Sequence, residues 1–217
     1  MIAGVAIAVD PEAVVVTAAA PLQVVSSAAV GGGVGAARSI VNVHVPKDFA
    51  LEGLETRLSA LVHRRGLSLP YVGLATSAWT EKARIASEAS RGLTAVAVVT
   101  VGLSNPVAAG VTSMAASAPS TINTIVLVDA AAETAALINA IITATEVKAS
   151  VLAAAGLRCG GGEPATGTST DAVVLAATGR GRACRFGGPV SDLGWVIARA
   201  VRAAMEEGVR VWLEENA

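Results

Sequence analysis

The spacing of apolar and polar positions changes along the chain. Early on, short β-branched runs dominate. Ala13 to Thr17 and Leu22 to Ser26 flank an Ala-Ala-Ala-Pro stretch and predict a hairpin or two adjacent strands; Ser39 to Val45 predicts a third. On that third strand Asn42 and His44 share a face opposite Val41, Val43 and Val45. The segment Leu51 to Arg65 shifts to helical spacing. Leu51, Leu54, Leu58, Leu61 and Val62 lie on one side, Glu52, Glu55, Arg57 and Arg64 lie outside, and Gly66 follows as a stop.

Further on, Tyr71 to Thr76 predicts a strand, Glu81 to Ser90 a short helix or turn, and Leu93 to Leu103 and Thr121 to Asp129 two more strands. Glu133 to Ala155 is the longest helix pattern, closed by Gly156. Val173 to Ala177 is a strand. Asp192 to Glu207 is an amphipathic helix with Leu193, Val196, Ile197, Ala200, Val201 and Met205 inward. Strands come first and alternate with helices later, with no repeat of fixed period. The prediction is a mixed α/β (α+β) class: one central, mostly β-branched sheet flanked by about three to four helices, its strand order not encoded in the pattern. A chain of 217 residues suits one domain, 1–217.

Composition narrows the choices. Hydrophobic residues make up 53%, charged ones 15% and aromatics only 3%, so the core must come from Ala, Val, Leu and Ile. The net charge is -1, and no basic block is longer than His63-Arg64-Arg65, which argues against nucleic acid as the main partner. A mean hydropathy of +0.61 calls for a membrane test, since no charge occurs between Arg91 and Asp129. Ser104-Asn105-Pro106, Gly110, Thr112-Ser113 and the stretch Ser117 to Thr121 break that region into runs shorter than the roughly 20 residues of a bilayer helix, so no membrane partner is expected. Asp10 and Glu12 stand where a signal peptide would carry Lys or Arg, and a cytoplasmic location is expected. Cys159 and Cys184 have no second pair beside them; zinc is not expected, and both thiols are read as reduced.

Several polar residues sit in apolar text. On the long helix Asn139, Thr143, Glu146 and Ser150 fall within about 60° of one another, a narrow stripe that is either a site or the solvent face. Lys148 lies about 160° from Glu146, on the side of Leu137, Ile141, Ala144 and Val151. It either snorkels to water or is buried against an acceptor from another segment. Gly31 to Gly35 precedes Arg38 but fits no phosphate-loop spacing. It leaves a backbone free to approach a ligand or a strand, with Arg38 as an anchor for a carbonyl or carboxylate, or else a tight turn. Thr100 to Pro106 ends a buried strand in a polar turn carrying Asn105, a donor for a carbonyl oxygen. Thr121 and Asn123 share one face of the next strand.

The run Ala165-Thr-Gly-Thr-Ser-Thr-Asp-Ala172 is the densest polar feature. In an extended chain Thr166, Thr168 and Thr170 would point one way and Gly167, Ser169 and Asp171 the other, forming a wall of donors and acceptors toward a polar ligand. The alternative is an Asx or ST turn leading into a core strand.

Taken together, G-G-G-V-G-A-A-R at 31 to 38 with Asn42, T-V-G-L-S-N-P at 100 to 106, S-T-I-N-T-I-V at 120 to 126, T-A-T-E-V-K-A at 143 to 149 and A-T-G-T-S-T-D-A at 165 to 172 resemble the adenosylcobinamide amidohydrolases of corrinoid salvage. The likeness runs over roughly residues 25 to 205. It departs at the Cys159 loop, between Gly156 and Ala165. It implies hydrolysis of the amide joining aminopropanol to the corrin ring, giving adenosylcobyric acid and aminopropanol. The corrinoid would be the substrate and not a cofactor.

An unactivated amide needs a nucleophile, donors for the oxyanion and a proton for the leaving amine. His63 sits among surface arginines and only His44 remains, so serine-histidine machinery is poorly supported. Water activated by a carboxylate is the more economical chemistry. Glu146 or Asp171 is then the base, Lys148 an electrostatic partner or acid, and Arg38, Asn42, Asn105, Thr121, Asn123, Thr166, Thr168 and Thr170 the substrate-binding set. A threonine nucleophile, Thr168 or Thr121, is the second chemistry, the latter after cleavage at Ser120. No metal-ligand spacing is evident, and a metal held by scattered Asp, Glu and His44 stays open. Two other classes compete: a corrinoid-binding protein without turnover, and a self-associating protein suited by low charge and small side chains. A homo-oligomer is among the expected states.

Overall fold

A computed structural model describes residues 1–114 and 120–216. In chain order the strands are β1 (Val5–Val9), β2 (Ala13–Ser26), β3 (Gly33–His44), β4 (Tyr71–Thr76), β5 (Arg84–Ser90), β6 (Leu93–Val101), β7 (Pro106–Val107), β8 (Ile122–Val128), β9 (Ala131–Ala132), β10 (Gly167–Thr168), β11 (Ala172–Ala177) and β12 (Ala183–Cys184). The α-helices among the described residues are α1 (Leu54–Arg64), α2 (Thr134–Ala154) and α3 (Asp192–Glu215). Eight strands form one mixed sheet in the order β4-β3-β2-β11-β8-β6-β5, with β1 on β2. The pairs β3 with β4 and β8 with β11 are parallel, and the other pairs in this sheet are antiparallel.

The expected hairpin over Ala13 to Ser26 is instead one long strand. One edge of β2 pairs with β3 throughout, while the other serves β1 in its first half and β11 in its second. Its register shifts between Thr17 and Leu22, where Pro21 cannot donate to the ladder. Glu81 to Ser90, expected as a helix or turn, is a short 3-10 turn over Thr80–Lys82 followed by β5. Its exposure alternates residue by residue, the period of an edge strand. α3 runs on past Glu207 to Glu215, supported by Arg210 bonded to both Glu207 and Glu214.

Strand alternation gives the sheet two faces and three cores. Val14, Val16, Ile40, Leu74, Val98, Ile125 and Val174 pack together, so the β2-β3-β4 half curls to face the β6-β8-β11 half. On the outside, α2 and α3 cover β6, β8 and β11 through small residues such as Ala136, Ala140, Ala144, Ala200 and Ala204. Leu54, Leu58, Leu61 and Val62 of α1 cover Val15, Val41 and Val43. Such close layers suit a chain poor in aromatics. By length and composition α2 would suffice to cross a bilayer; here its apolar side packs on the sheet and α3. Cys159 and Cys184 are both free and buried, and burial pushes the Cys184 thiol above its usual range.

Candidate functional site

The site lies where β6 ends at Val101, β8 begins at Ile122 and β11 begins at Ala172, these residues being in register or next to one another. Alternation puts Asn42, Thr100 and Asn123 on the inward face, at one end of the curled core. They satisfy each other there. Asn42 Nδ2 donates to Thr100 Oγ1 (3.0 Å), while Asn123 Nδ2 donates to Asn42 Oδ1 (2.8 Å) and to the Ala75 carbonyl (2.8 Å) on β4. Asn42 and Asn123 are 1% and 2% exposed, so this layer ties opposite walls of the curled sheet and floors whatever stands above it.

Above it, Thr121 Oγ1 donates to the Thr170 carbonyl (2.9 Å) and lies 3.1 Å from Asn123 Oδ1. Residues 168 to 171 form a turn closed by the Asp171 carboxylate, whose Oδ2 accepts from the Thr168 amide (3.0 Å) and whose Oδ1 accepts from the Ile122 amide (2.9 Å). The Thr168 hydroxyl also bonds Oδ1, and the Lys148 ammonium bonds Oδ2. The Lys148 and Asp171 side chains are 11% and 9% exposed, the most buried ion pair among the described residues. Gly167 makes the meeting fit: a Cβ there would fall 2.4 Å from Asp171 Oδ2 and 2.6 Å from Lys148 Nζ. Thr168 Oγ1 also stands 2.9 Å from the Ser120 carbonyl, so one hydroxyl proton faces two acceptors. Thr170 Oγ1 donates to that same carbonyl (2.9 Å).

A cavity of about 400 Å³ opens on these residues, lined by Ser120, Thr121, Asn123, Thr170 and Asp171 on one side and by Phe49, Leu51, Leu54 and Leu74 on the other. One wall is polar and the other is apolar. That is the usual composition of a small-molecule site.

The other candidates fall elsewhere, and several expectations are corrected. The threonine run is extended only over Gly167–Thr168 (β10); Ser169 and Thr170 then turn toward the core strand β11, and Asp171 folds back on Thr168 instead of continuing the alternation. Thr166 belongs to the outer loop, donating its amide to Val107 O (2.8 Å) and accepting from the Ala109 amide (3.0 Å). Glu146 is exposed on another flank of α2, in a surface groove with Trp195, Arg199 and Arg202 of α3. Its stripe-mate Thr143 is buried and donates to Gly187 O (2.9 Å), so the stripe seats the loop before α3. Arg38 donates to Ala19 O (2.8 Å) in the shifted segment of β2. Gly31, at φ +66, passes Tyr71 O so closely that a Cβ would lie 2.5 Å away, which makes the glycine cluster a strand-to-strand approach. Asn105 Nδ2 stands 3.5 Å from Ser169 Oγ, at the rim.

Two participants carried no signal in the sequence. Ser120 acts through its main-chain carbonyl, which any residue would supply. Trp79 stacks on His44 with ring centroids 4.9 Å apart, a contact between separate segments. Among the described residues no group of three or more His, Cys, Asp or Glu side chains gathers as a metal site.

A curled mixed sheet, with the carboxylate of a buried ion pair at the wall of a polar-floored cavity, defines an α+β protein with a candidate site at the ends of β6, β8 and β11. The family model described as CbiZ, adenosylcobinamide amidohydrolase, matches residues 2–217, and the chain belongs to that family. No curated protein matches the chain. Among solved structures, the crystal structure of the PH0078 protein from Pyrococcus horikoshii OT3 is similar with a TM-score of 0.51, covering 95% of this chain and 83% of that one at 12% identity, a likeness of fold.

Proposed function

We propose that the chain hydrolyses the amide between aminopropanol and the corrin of adenosylcobinamide, releasing adenosylcobyric acid and aminopropanol, with Asp171 as the proton acceptor. The observation that carries this reading is that Asp171, paired with the buried Lys148, lines a cavity whose wall also presents Thr121 and Thr170. Family membership supplies the substrate class.

Both Asp171 oxygens are occupied: Ile122 N and the Thr168 hydroxyl on Oδ1, Thr168 N and Lys148 on Oδ2. One of these four donors is replaceable, because the Thr168 hydroxyl has the Ser120 carbonyl as a second acceptor. Turning that hydroxyl to Ser120 frees a lone pair of Asp171 for a water molecule. The water oxygen adds to the substrate carbonyl carbon as one of its protons passes to Asp171, and the Thr121 and Thr170 hydroxyls, turning away from the Thr170 and Ser120 carbonyls that they bond at rest, donate to the oxyanion. The intermediate then collapses. The carbon-nitrogen bond breaks, and the proton on Asp171 passes to the departing amine. Lys148 stays bonded to Oδ2 throughout and balances the carboxylate charge where both side chains are buried. Glu146, on the outer flank of α2, has no part in this scheme.

This reading places the reaction in the cytoplasm, in recovery of corrinoid precursors. Incubation with adenosylcobinamide and chromatography of the products tests it. Formation of adenosylcobyric acid and aminopropanol supports the enzyme, whereas a corrinoid spectral change without product would replace it with a non-catalytic binder.

A further inference from the structure

Beside the cavity at Asp171 lies a second, of about 560 Å³, between the C-terminal end of α3 and the connection from β4 to β5. Lys47 and Ser77 line both, so the two spaces share a wall. A corrin macrocycle bearing a nucleoside is too bulky for the first cavity alone, and the scissile amide hangs from the periphery of that ring. With the amide at Asp171, the remainder of the substrate must extend over this wall.

The second cavity is built around aromatic surface in a chain with very little of it. Trp79 and Trp212, two of the three tryptophans, both line it. Trp79 is 56% exposed, yet its ring is not free to swing. It stacks on His44 at an interplanar angle of 15°, and His44 is itself fixed by Nδ1 donating to Ala78 O (3.0 Å). His44 is the last residue of β3, two positions beyond Asn42 in the polar floor, so one strand end supports both spaces. An indole held on one face and open to a cavity is a stacking platform for a planar heterocycle. The cavity rim adds Ser77, Ser104 and the Lys82-Glu215 pair, which can donate to and accept from a base and a ribose.

We propose that this groove is the subsite for the adenine nucleoside carried by the corrinoid, with Trp79 as its stacking platform. The assignment rests on the amidohydrolase reading of the neighbouring cavity, and its test separates the two. Equilibrium dialysis of labelled adenosine against the full chain measures the subsite without turnover. Trp79→Ala weakens adenosine retention about tenfold and Trp79→Phe keeps it within about twofold, the scale of one base stack. Trp79→Leu retains apolar cover over His44 without a ring and decides the matter where the alanine variant does not fold. In turnover, Trp79→Ala raises KM for adenosylcobinamide about tenfold with kcat nearly unchanged, and leaves KM unchanged for cobinamide bearing cyanide in place of the nucleoside.

Adenosine binding that is absent, or equal in wild type and Trp79→Leu, overturns the subsite, as does an equal KM rise for both corrinoids. If wild type cleaves neither corrinoid, the amidohydrolase reading fails and the dialysis alone decides the groove. If it cleaves adenosylcobinamide but adenosine retention is independent of Trp79, the subsite fails alone.

Discussion

Lys148, in the C-terminal third of α2, and Asp171, one residue before β11, meet with both side chains about nine-tenths buried, and the two charges are enclosed between a helix and a strand entry. The helix explains why the lysine stays in. Its neighbours on that side, Ala144 and Val151, belong to the core shared with the sheet, and Asp171, fixed by two amide donors, brings the counter-charge to it.

Replacing Asp171 by Asn therefore acts on stability and chemistry together. An unpaired buried ammonium costs about 3 to 5 kcal/mol, and loss of the base lowers turnover about a hundredfold or more. Urea unfolding and product chromatography read the two effects. Lys148→Met combined with Asp171→Asn recovers part of the lost stability and none of the activity, a coupling that a double-mutant cycle measures.

Glu146→Gln leaves both properties unchanged: stability within about 0.5 kcal/mol and rate at wild-type level, because the side chain is exposed and faces α3. A strongly reduced rate in this variant would remove Asp171 as the sole base.

Gly167→Ala inserts a methyl between the partners, 2.4 Å from Asp171 Oδ2 and 2.6 Å from Lys148 Nζ. We expect a loss of about 1 to 3 kcal/mol and reduced turnover. Gly160→Ala is the control, since nothing lies within 4 Å of its added carbon.

In the polar floor, Asn123→Ala strands Asn42 Oδ1 and the Ala75 carbonyl without their donor. Each buried acceptor left unmet costs about 1 to 3 kcal/mol, visible as a lower urea midpoint. Hydrogen exchange at Ala75 and its neighbours on β4 should accelerate, as the tie between opposite walls is cut.

Far from the site, Arg65 bonds Asp10 and Glu12, and its guanidinium holds the Asp10 carboxyl down at about 2. The ordinary value is 3.8, so this contribution is present above about pH 4 and is lost as pH falls toward 2. Asp10 is 39% exposed, which keeps the contribution below about 1 kcal/mol. Arg65→Met flattens the acid limb of a stability-pH curve in that window and leaves the difference between pH 6 and 8 unchanged.

Periodicity over Leu93 to Leu103, Thr121 to Asp129 and Glu133 to Ala155 was strong because these elements are buried on one or both faces, and each is present with ends shifted by a residue or two. The stretch Glu81 to Ser90 misled because edge strands are short and half polar, which resembles a turn. Val5–Val9 carries no clear strand signal, since Val-Ala-Ile-Ala-Val alternates only in size. Glu146 and Lys148, two residues apart on one helix, looked equally eligible; helical rotation sends one outward and the other under the sheet's end.

By itself the sequence determined the long buried strands and the three helices, that Asn42, Thr121 and Asn123 lie on particular strand faces, and which family the five polar motifs resemble, because all of these follow from local period and residue type. Tertiary structure alone decided that Asp171 is the acceptor Lys148 meets, that Asn123 reaches Asn42 and β4, and that the threonine run turns after Thr168. Those contacts join residues far apart in the chain, and they depend on how the sheet curls, a property of strand order that no local pattern carries.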